Sequence, residues 1–251
     1  MLQPDVLAAF HERLLEADIR PLVVHAPYII NLASPDPTTY RRSLAMYQEE
    51  FARCQALRAD YLVTHVGSHR GDGEEAGIAR VAKAISRTIE AGTKRSRGAA
   101  HRVMILLENT AGSGQGLGYS FEQLAAMRSA ATQPDRVGVC LDTAHLFASG
   151  YAIHTPEGLS STMADCSRII GFEHVRVVHL NDSKVAFDSH VDRHWHIGQG
   201  HIGLAAMQRI VTHPKLADRA WILETPKDSD DDDPRNLATV RGFVAQPACA
   251  A

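Results

Sequence analysis

The sequence predicts an α/β fold built on a parallel sheet. Three observations carry this expectation. Short apolar runs alternate with longer segments of helical period along the 251-residue chain. The runs are near-continuous and rich in Val, Ile and Leu, as suits strands covered on both faces. No linker or shift of composition divides the chain, so one domain over residues 1–251 is expected.

Taken in order, PDVLAAFHERLLEAD carries acids and no uninterrupted apolar core, and reads as an amphipathic helix rather than a leader. The first strand-like run is PLVVHAPY (21–28). In YRRSLAMYQEEFARCQALRAD, the residues Leu44, Tyr47, Phe51, Cys54 and Leu57 recur at spacings of three and four, one apolar helical stripe. YLVTHVGSH (61–69) is the second run, and GTKRSRGAAHR (92–102) is expected to be a basic loop before the third, VMILLENT (103–110). GYSFEQLAAM offers Ser120 as a helix N-cap with Gln123 three residues on, the pattern of a capping box. VGVCLDTAH (137–145) follows, then Thr155-Pro156 as N-cap and first helical residue, VRVVHLND (175–182) and WILETP (221–226). The acidic run Asp230 to Asp233 is expected to be a solvated loop whose last member, ahead of Pro234, caps the final helix.

Composition is that of an ordinary soluble globular protein, 45% hydrophobic and 22% charged. No apolar run approaches the roughly 18 residues a membrane helix needs. Four cysteines (Cys54, Cys140, Cys166, Cys249) form no CxxC pair, so neither a disulfide framework nor a thiolate zinc site is indicated, which fits a reducing cytoplasm. A formal net charge of −3 taken alone argues against a nucleic-acid partner. The unusual count is histidine, at 14.

Each apolar run stops at a metal-ligand type: His25, His65, Glu108, Asp142, His179 and Glu224. In a barrel of parallel strands such ends converge on one face, where these enzymes place their chemistry. A single strand-end histidine is more often a satisfied core residue, but six endings in succession are not explained that way. Carboxylates and imidazoles gathered in one small volume require a cation among them. The mixed set favours zinc, with manganese or iron as competitors. His145 follows Asp142 by three, and in SHVDRHWH the pair Asp192 and His194 would point one way in extended backbone while Arg193 points the other. His145, Asp192 and His194 have the composition of a catalytic three-ligand zinc site, although His190 and His196 are nearby alternatives.

HAPYIINLASPD, THVGSH, LLENTAGSGQGLG, VGVCLDTAHLFASGY, HLNDSK, SHVDRHWHIGQGHIG and WILETP closely resemble the motifs of the endonuclease IV family, trinuclear zinc apurinic/apyrimidinic endonucleases with a TIM (β/α)8 barrel. The resemblance runs from about His25 to Thr225. It implies a first zinc on His25 and His65, with Glu108 bridging to a second that Asp142, His179 and Glu224 complete, and a third on His145, Asp192 and His194. It implies three Zn²⁺, with Mn²⁺ an option at one site, and makes Glu108 and Glu224 catalytic as well as metal-binding. The implied reaction is hydrolysis of the phosphodiester 5′ to abasic sites in duplex DNA, leaving a 3′-hydroxyl and a 5′-deoxyribose phosphate.

Three divalent ions would turn the formal −3 into +3, concentrated at the site. Arg41, Arg42, His69, Arg70, Lys184 and above all Arg193 are then candidate phosphate contacts, each otherwise a solvated side chain. Tyr28 and Ile29 match the family residues that press into the duplex at the lesion, replacing lost stacking; a place in the core is their alternative. Eight strands close a TIM barrel and six are counted here, so a barrel lacking the family's first two strands is expected, acting as a cytoplasmic monomer. Two other readings remain: a xylose-isomerase-like metal-dependent sugar isomerase or epimerase, and a chain that binds metal or damaged DNA without cutting it.

Overall fold

Neighbouring residues of a strand point to opposite faces. Leu62 and Val63 are neighbours and both are fully buried, so the strand they share is covered on both sides. The structure, a computed structural model, describes residues 2–95 and 102–245. It divides into two compact units: Met1–Glu108, Gln115–Leu117 and Ala126–Gly138 form one, and Asn109–Gly114, Gly118–Ala125 and Val139–Ala251 the other.

The first unit contains α1 (Pro4–Ala17), β1 (Val23–His25), α2 (Pro37–Leu57), β2 (Tyr61–Thr64), α3 (Glu74–Arg95) and β3 (Met104–Glu108). Its three strands are parallel and adjacent in chain order, with Val23 opposite Tyr61 and Thr64 opposite Leu107. Helix α2 starts three residues before the predicted helical segment, where the Asp36 carboxylate accepts the Thr39 N–H at 2.7 Å and Pro37 takes the first helical position. Its buried residues are Ser43, Tyr47, Phe51 and Cys54, with Leu44 and Leu57 of the predicted stripe half-buried. Ser43 is there to be used, because its hydroxyl accepts the Asn31 N–H. Helices α2 and α3 meet closely at Gly92, where a Cβ would lie 2.5 Å from a Phe51 ring carbon. The loop expected over residues 92–102 therefore starts too early: Gly92–Arg95 is the last turn of α3, with Lys94 and Arg95 at the end that favours cations. Residues 96–101 lie outside the described residues.

Next in sequence come α4 (Phe121–Ser129) and β4 (Val137–Asp142). Ser120 caps α4 through the Gln123 N–H at 3.3 Å, but the Gln123 side chain accepts the Gly118 N–H at 2.7 Å. The reciprocal half of the expected capping box is spent on the glycine loop instead. The second unit contains α5 (Thr143–Ala148), α6 (Pro156–Ile169), β5 (Val175–His179), β6 (Asp182–Ser183), β7 (His194–Trp195), α7 (Leu204–Val211), β8 (Ala220–Ile222) and α8 (Asp232–Ala245). Strands β4, β5 and β8 are parallel, with Asp142 opposite His179 and His179 opposite Ile222. Strands β6 and β7 form a separate antiparallel ribbon.

Thr155 and Pro156 open α6 as predicted, the threonine hydroxyl accepting the Gly158 N–H at 3.0 Å. At α8 the expectation fails. The helix starts at Asp232, so Asp233 and Pro234 lie inside its first turn. Asp232 is buried, and its carboxylate accepts the N–H groups of Asp228 and Ser229 at 2.9 and 2.8 Å. Part of the acidic run thus ties down the chain entering the helix rather than sitting in solvent. Among the described residues no helix is long and apolar enough to cross a membrane.

Candidate metal centre

Parallel pairing brings the C-terminal ends of neighbouring strands to the same edge. In the first unit these ends are His25, closing β1, His65, one residue past β2, and Glu108, closing β3. Their ligand atoms lie within 4.8 Å of one another. One carboxylate oxygen, Glu108 Oε2, sits 2.8 Å from His25 Nε2 and 3.0 Å from His65 Nε2, and Glu108 is fully buried. His25 Nδ1 lies 2.8 Å from the Ala26 carbonyl oxygen. Immediately beyond, Tyr28 and Ile29 are 81% and 75% exposed, which removes the core alternative for both. Their loop is fastened by Asn31, whose Oδ1 accepts the Ala33 and Ser68 N–H groups while its Nδ2 donates to the Ser68 carbonyl. Gly67 makes room for this clasp; a Cβ there would lie 2.2 Å from Asn31 Oδ1, and its φ is +93°.

In the second unit Asp142, His179 and Glu224 present ligand atoms within 4.8 Å of one another, and so do Asp142, His145 and His194. His179 Nδ1 is 3.0 Å from Glu224 Oε2. Asp192 Oδ1 is 3.1 Å from His145 Nε2 and 3.4 Å from His194 Nε2, so the three residues singled out from DTAH and DRH do meet. Arg193 is exposed, with its Nη1 donating to the Asp192 carbonyl. The alternative histidines are used elsewhere: His190 lies against the Ala111 carbonyl and Asp188, and buried His196 against Asn236.

The ring nitrogens show what this donor set can hold. A carbonyl oxygen only accepts, so Nδ1 must carry the proton in His25, beside Ala26 O, in His145, 2.9 Å from Asn109 O, and in His194, 3.2 Å from Glu224 O. Neutral rings then offer a lone pair at Nε2, the pattern by which outer partners orient metal-binding histidines. His145 Nε2 and His194 Nε2 are 3.4 Å apart and share Asp192 Oδ1. Lone pairs facing lone pairs repel, and second protons would set two positive rings together. A shared cation satisfies all three atoms, so the residues fit a divalent metal.

Sequence reasoning missed two residues that orient these ligands. Asn181, fully buried, donates to Asp142 Oδ2 at 2.6 Å and accepts the Glu224 N–H at 2.8 Å. Asn109 accepts the Asp142 N–H at 2.6 Å and donates to the Asp142 carbonyl at 3.1 Å. The available signal was position: each asparagine follows a ligand within two residues, in LLENT and HLND. No thiol competes for a nucleophile's role at Cys54 or Cys166, since burial pushes both up to about 12; Cys249 lies outside the described residues. Of the candidate phosphate contacts, Arg41, Arg42, Arg70, Lys184 and Arg193 are exposed. His69 is half-buried, its Nδ1 accepting the Gly73 N–H.

Comparison with known proteins follows the same lines. Residues 1–244 match the family described as xylose isomerase-like TIM barrel. Over 244 residues the chain is 45% identical to a protein named "Probable endonuclease 4" from Chloroflexus aurantiacus, covering 97% of this chain and 84% of that one. A protein of the same name from Methanosphaerula palustris is 45% identical over 241 residues, 96% of this chain and 83% of that one. The crystal structure of endonuclease IV from Thermus thermophilus superimposes with a TM-score of 0.83 at 33% identity, covering 98% of this chain and 83% of that one.

Proposed function

Because the chain belongs to the endonuclease IV family, with its TIM-barrel fold, we propose that it hydrolyses the phosphodiester 5′ to abasic sites in duplex DNA, leaving a 3′-hydroxyl and a 5′-deoxyribose phosphate. Three zinc ions are its proposed cofactors, with manganese an option at one site. Holding them would be His25 and His65 with Glu108 as a shared ligand, then Asp142, His179 and Glu224, then His145, Asp192 and His194. When bound, divalent ions supply Lewis acidity toward a phosphoryl oxygen and acidify water near neutral pH.

The chain's own residues do the rest. Carbonyl partners keep the Nδ1 protons of His25, His145 and His194 in place, so that Nε2 stays a ligand. Asn181 fixes the orientation of Asp142 and the backbone of Glu224 together. Tyr28 and Ile29, exposed on a loop that Asn31 fastens, would fill the space of a missing base. Arg193, exposed between two proposed metal ligands, is the proposed phosphate contact.

The convergence of His145, His194 and Asp192 carries this reading. A sugar isomerase gathers one or two metals for enolisation and has no use for that additional group. The test is a duplex with one tetrahydrofuran abasic analogue, incubated with the zinc-loaded protein with and without chelator. One chelator-sensitive nick 5′ to the analogue is expected. A folded, zinc-loaded sample that leaves the strand intact would overturn the proposal.

A further inference from the structure

His194 stands on a ribbon too short to hold itself. Strands β6 and β7 have two residues each, with Ser183 opposite His194 and Asp182 opposite Trp195. An isolated hairpin is marginal at best even at greater length. The ribbon is instead fastened from behind, at Asp182, which is fully buried. Its carboxylate accepts backbone N–H groups from Ser183 at 2.8 Å, Gly200 at 3.0 Å, Ile202 at 2.9 Å and Gly203 at 3.2 Å. Three of the four come from the segment that returns after β7, so one side chain closes the loop bearing Asp192 and His194 at both its ends. The His201 N–H adds a bond to the Ser183 carbonyl at 2.8 Å. Gly200 fits because it has no side chain: a Cβ would lie 2.3 Å from Ser183 O and 2.5 Å from Asp182 Oδ1.

We infer that Asp182 is a positioning residue for the His145–Asp192–His194 metal site, setting its affinity through the ribbon rather than touching the ion. The inference rests on the metal reading proposed above. Backbone donors around a carboxylate make short, charge-assisted bonds. Asp182→Asn keeps the shape but turns one acceptor into an NH₂ group facing backbone N–H donors, so the clasp opens while the ligands themselves are unchanged.

The experiment measures zinc per chain and the rate of zinc transfer to a chromogenic chelator for the wild type, Asp182→Asn, Gly200→Ala and His194→Ala. Removal of a residue that orients metal ligands costs about 10- to 100-fold in affinity. Asp182→Asn is therefore expected to lose one zinc equivalent about 10- to 100-fold more readily, and to regain it at saturating free zinc with an unchanged circular dichroism spectrum. Gly200→Ala, which crowds the same clasp from the other side, should behave alike and stands in if Asp182→Asn does not fold. Wild-type zinc content and release rate in both folded variants would overturn the role of Asp182. His194→Ala reports on the premise: if it too keeps the wild-type zinc content, the metal site itself fails; if it loses one equivalent while the clasp variants lose none, only the positioning role fails.

Discussion

Glu108 and Asp192 are both carboxylates among imidazoles, yet they should respond differently to the loss of charge. Glu108 is fully buried with one oxygen against two histidines, and it is the proposed ligand shared with a second ion. Asp192 is part-exposed and serves His145 and His194 alone in the proposed set. Zinc analysis of Glu108→Gln should therefore show more than one equivalent lost, and that of Asp192→Asn no more than one; three full equivalents in Glu108→Gln would remove its assignment as a shared ligand. Tyr28 has the opposite profile. At 81% exposure it buries little, so Tyr28→Ala should leave thermal stability unchanged to within about 0.5 kcal/mol. Binding of an abasic duplex, measured by fluorescence anisotropy, should weaken at least several-fold if the ring replaces a missing base, and undamaged duplex should be affected less.

Among the elements, α2 shows how one side chain sets a boundary and a pH dependence. The Thr39 backbone N–H bonded to the Asp36 carboxylate holds its pKa below the ordinary 3.8. A carboxyl whose folded pKa is depressed contributes its stability fully above the unfolded value and loses it as pH falls through the folded one. The wild type should thus melt higher than Asp36→Ala at pH 6 to 7, and the gap should close as pH drops below about 4. A gap independent of pH would mean the cap acts through something other than the ionised carboxylate. Elements were legible to different depths for reasons of the same kind. The start of α6 could be read because Thr155-Pro156 acts within one turn. At α4 the Ser120 cap forms but its reciprocal partner does not, and the start of α8 was misread, because Gln123 and Asp232 spend their side chains on chain segments outside their helices, at Gly118 and at Asp228 and Ser229. Local capping rules see only the helix.

At the scale of the whole chain, the proposed ligands are far apart in sequence, from Asp142 to Glu224 within the second unit alone. An unfolded chain cannot assemble such a set, so the proposed ions would bind the folded state and stabilise it. Each ion held at a free concentration 100 times its Kd adds roughly 2.7 kcal/mol. Chelation should lower the melting temperature by several degrees or more, reversibly on adding zinc back; an unchanged melting curve would mean the ions are not bound by the folded core. A formal charge of −3 says little against DNA binding once the charge of bound ions is included. The sequence by itself determined six strands, their parallel class and the ligand-type residue at or just past the end of each, though not the short β6–β7 ribbon, because a strand covered on both faces must be a continuous apolar run and its end is where that run breaks. It also determined which family the chain resembles. Only the tertiary structure decided that His194 rather than His190 or His196 meets His145, that Asn109 and Asn181 orient Asp142, and that Asp182 clasps the loop bearing Asp192 and His194. These choices are made across tens of residues by backbone N–H and C=O groups, whose directions no side-chain pattern records.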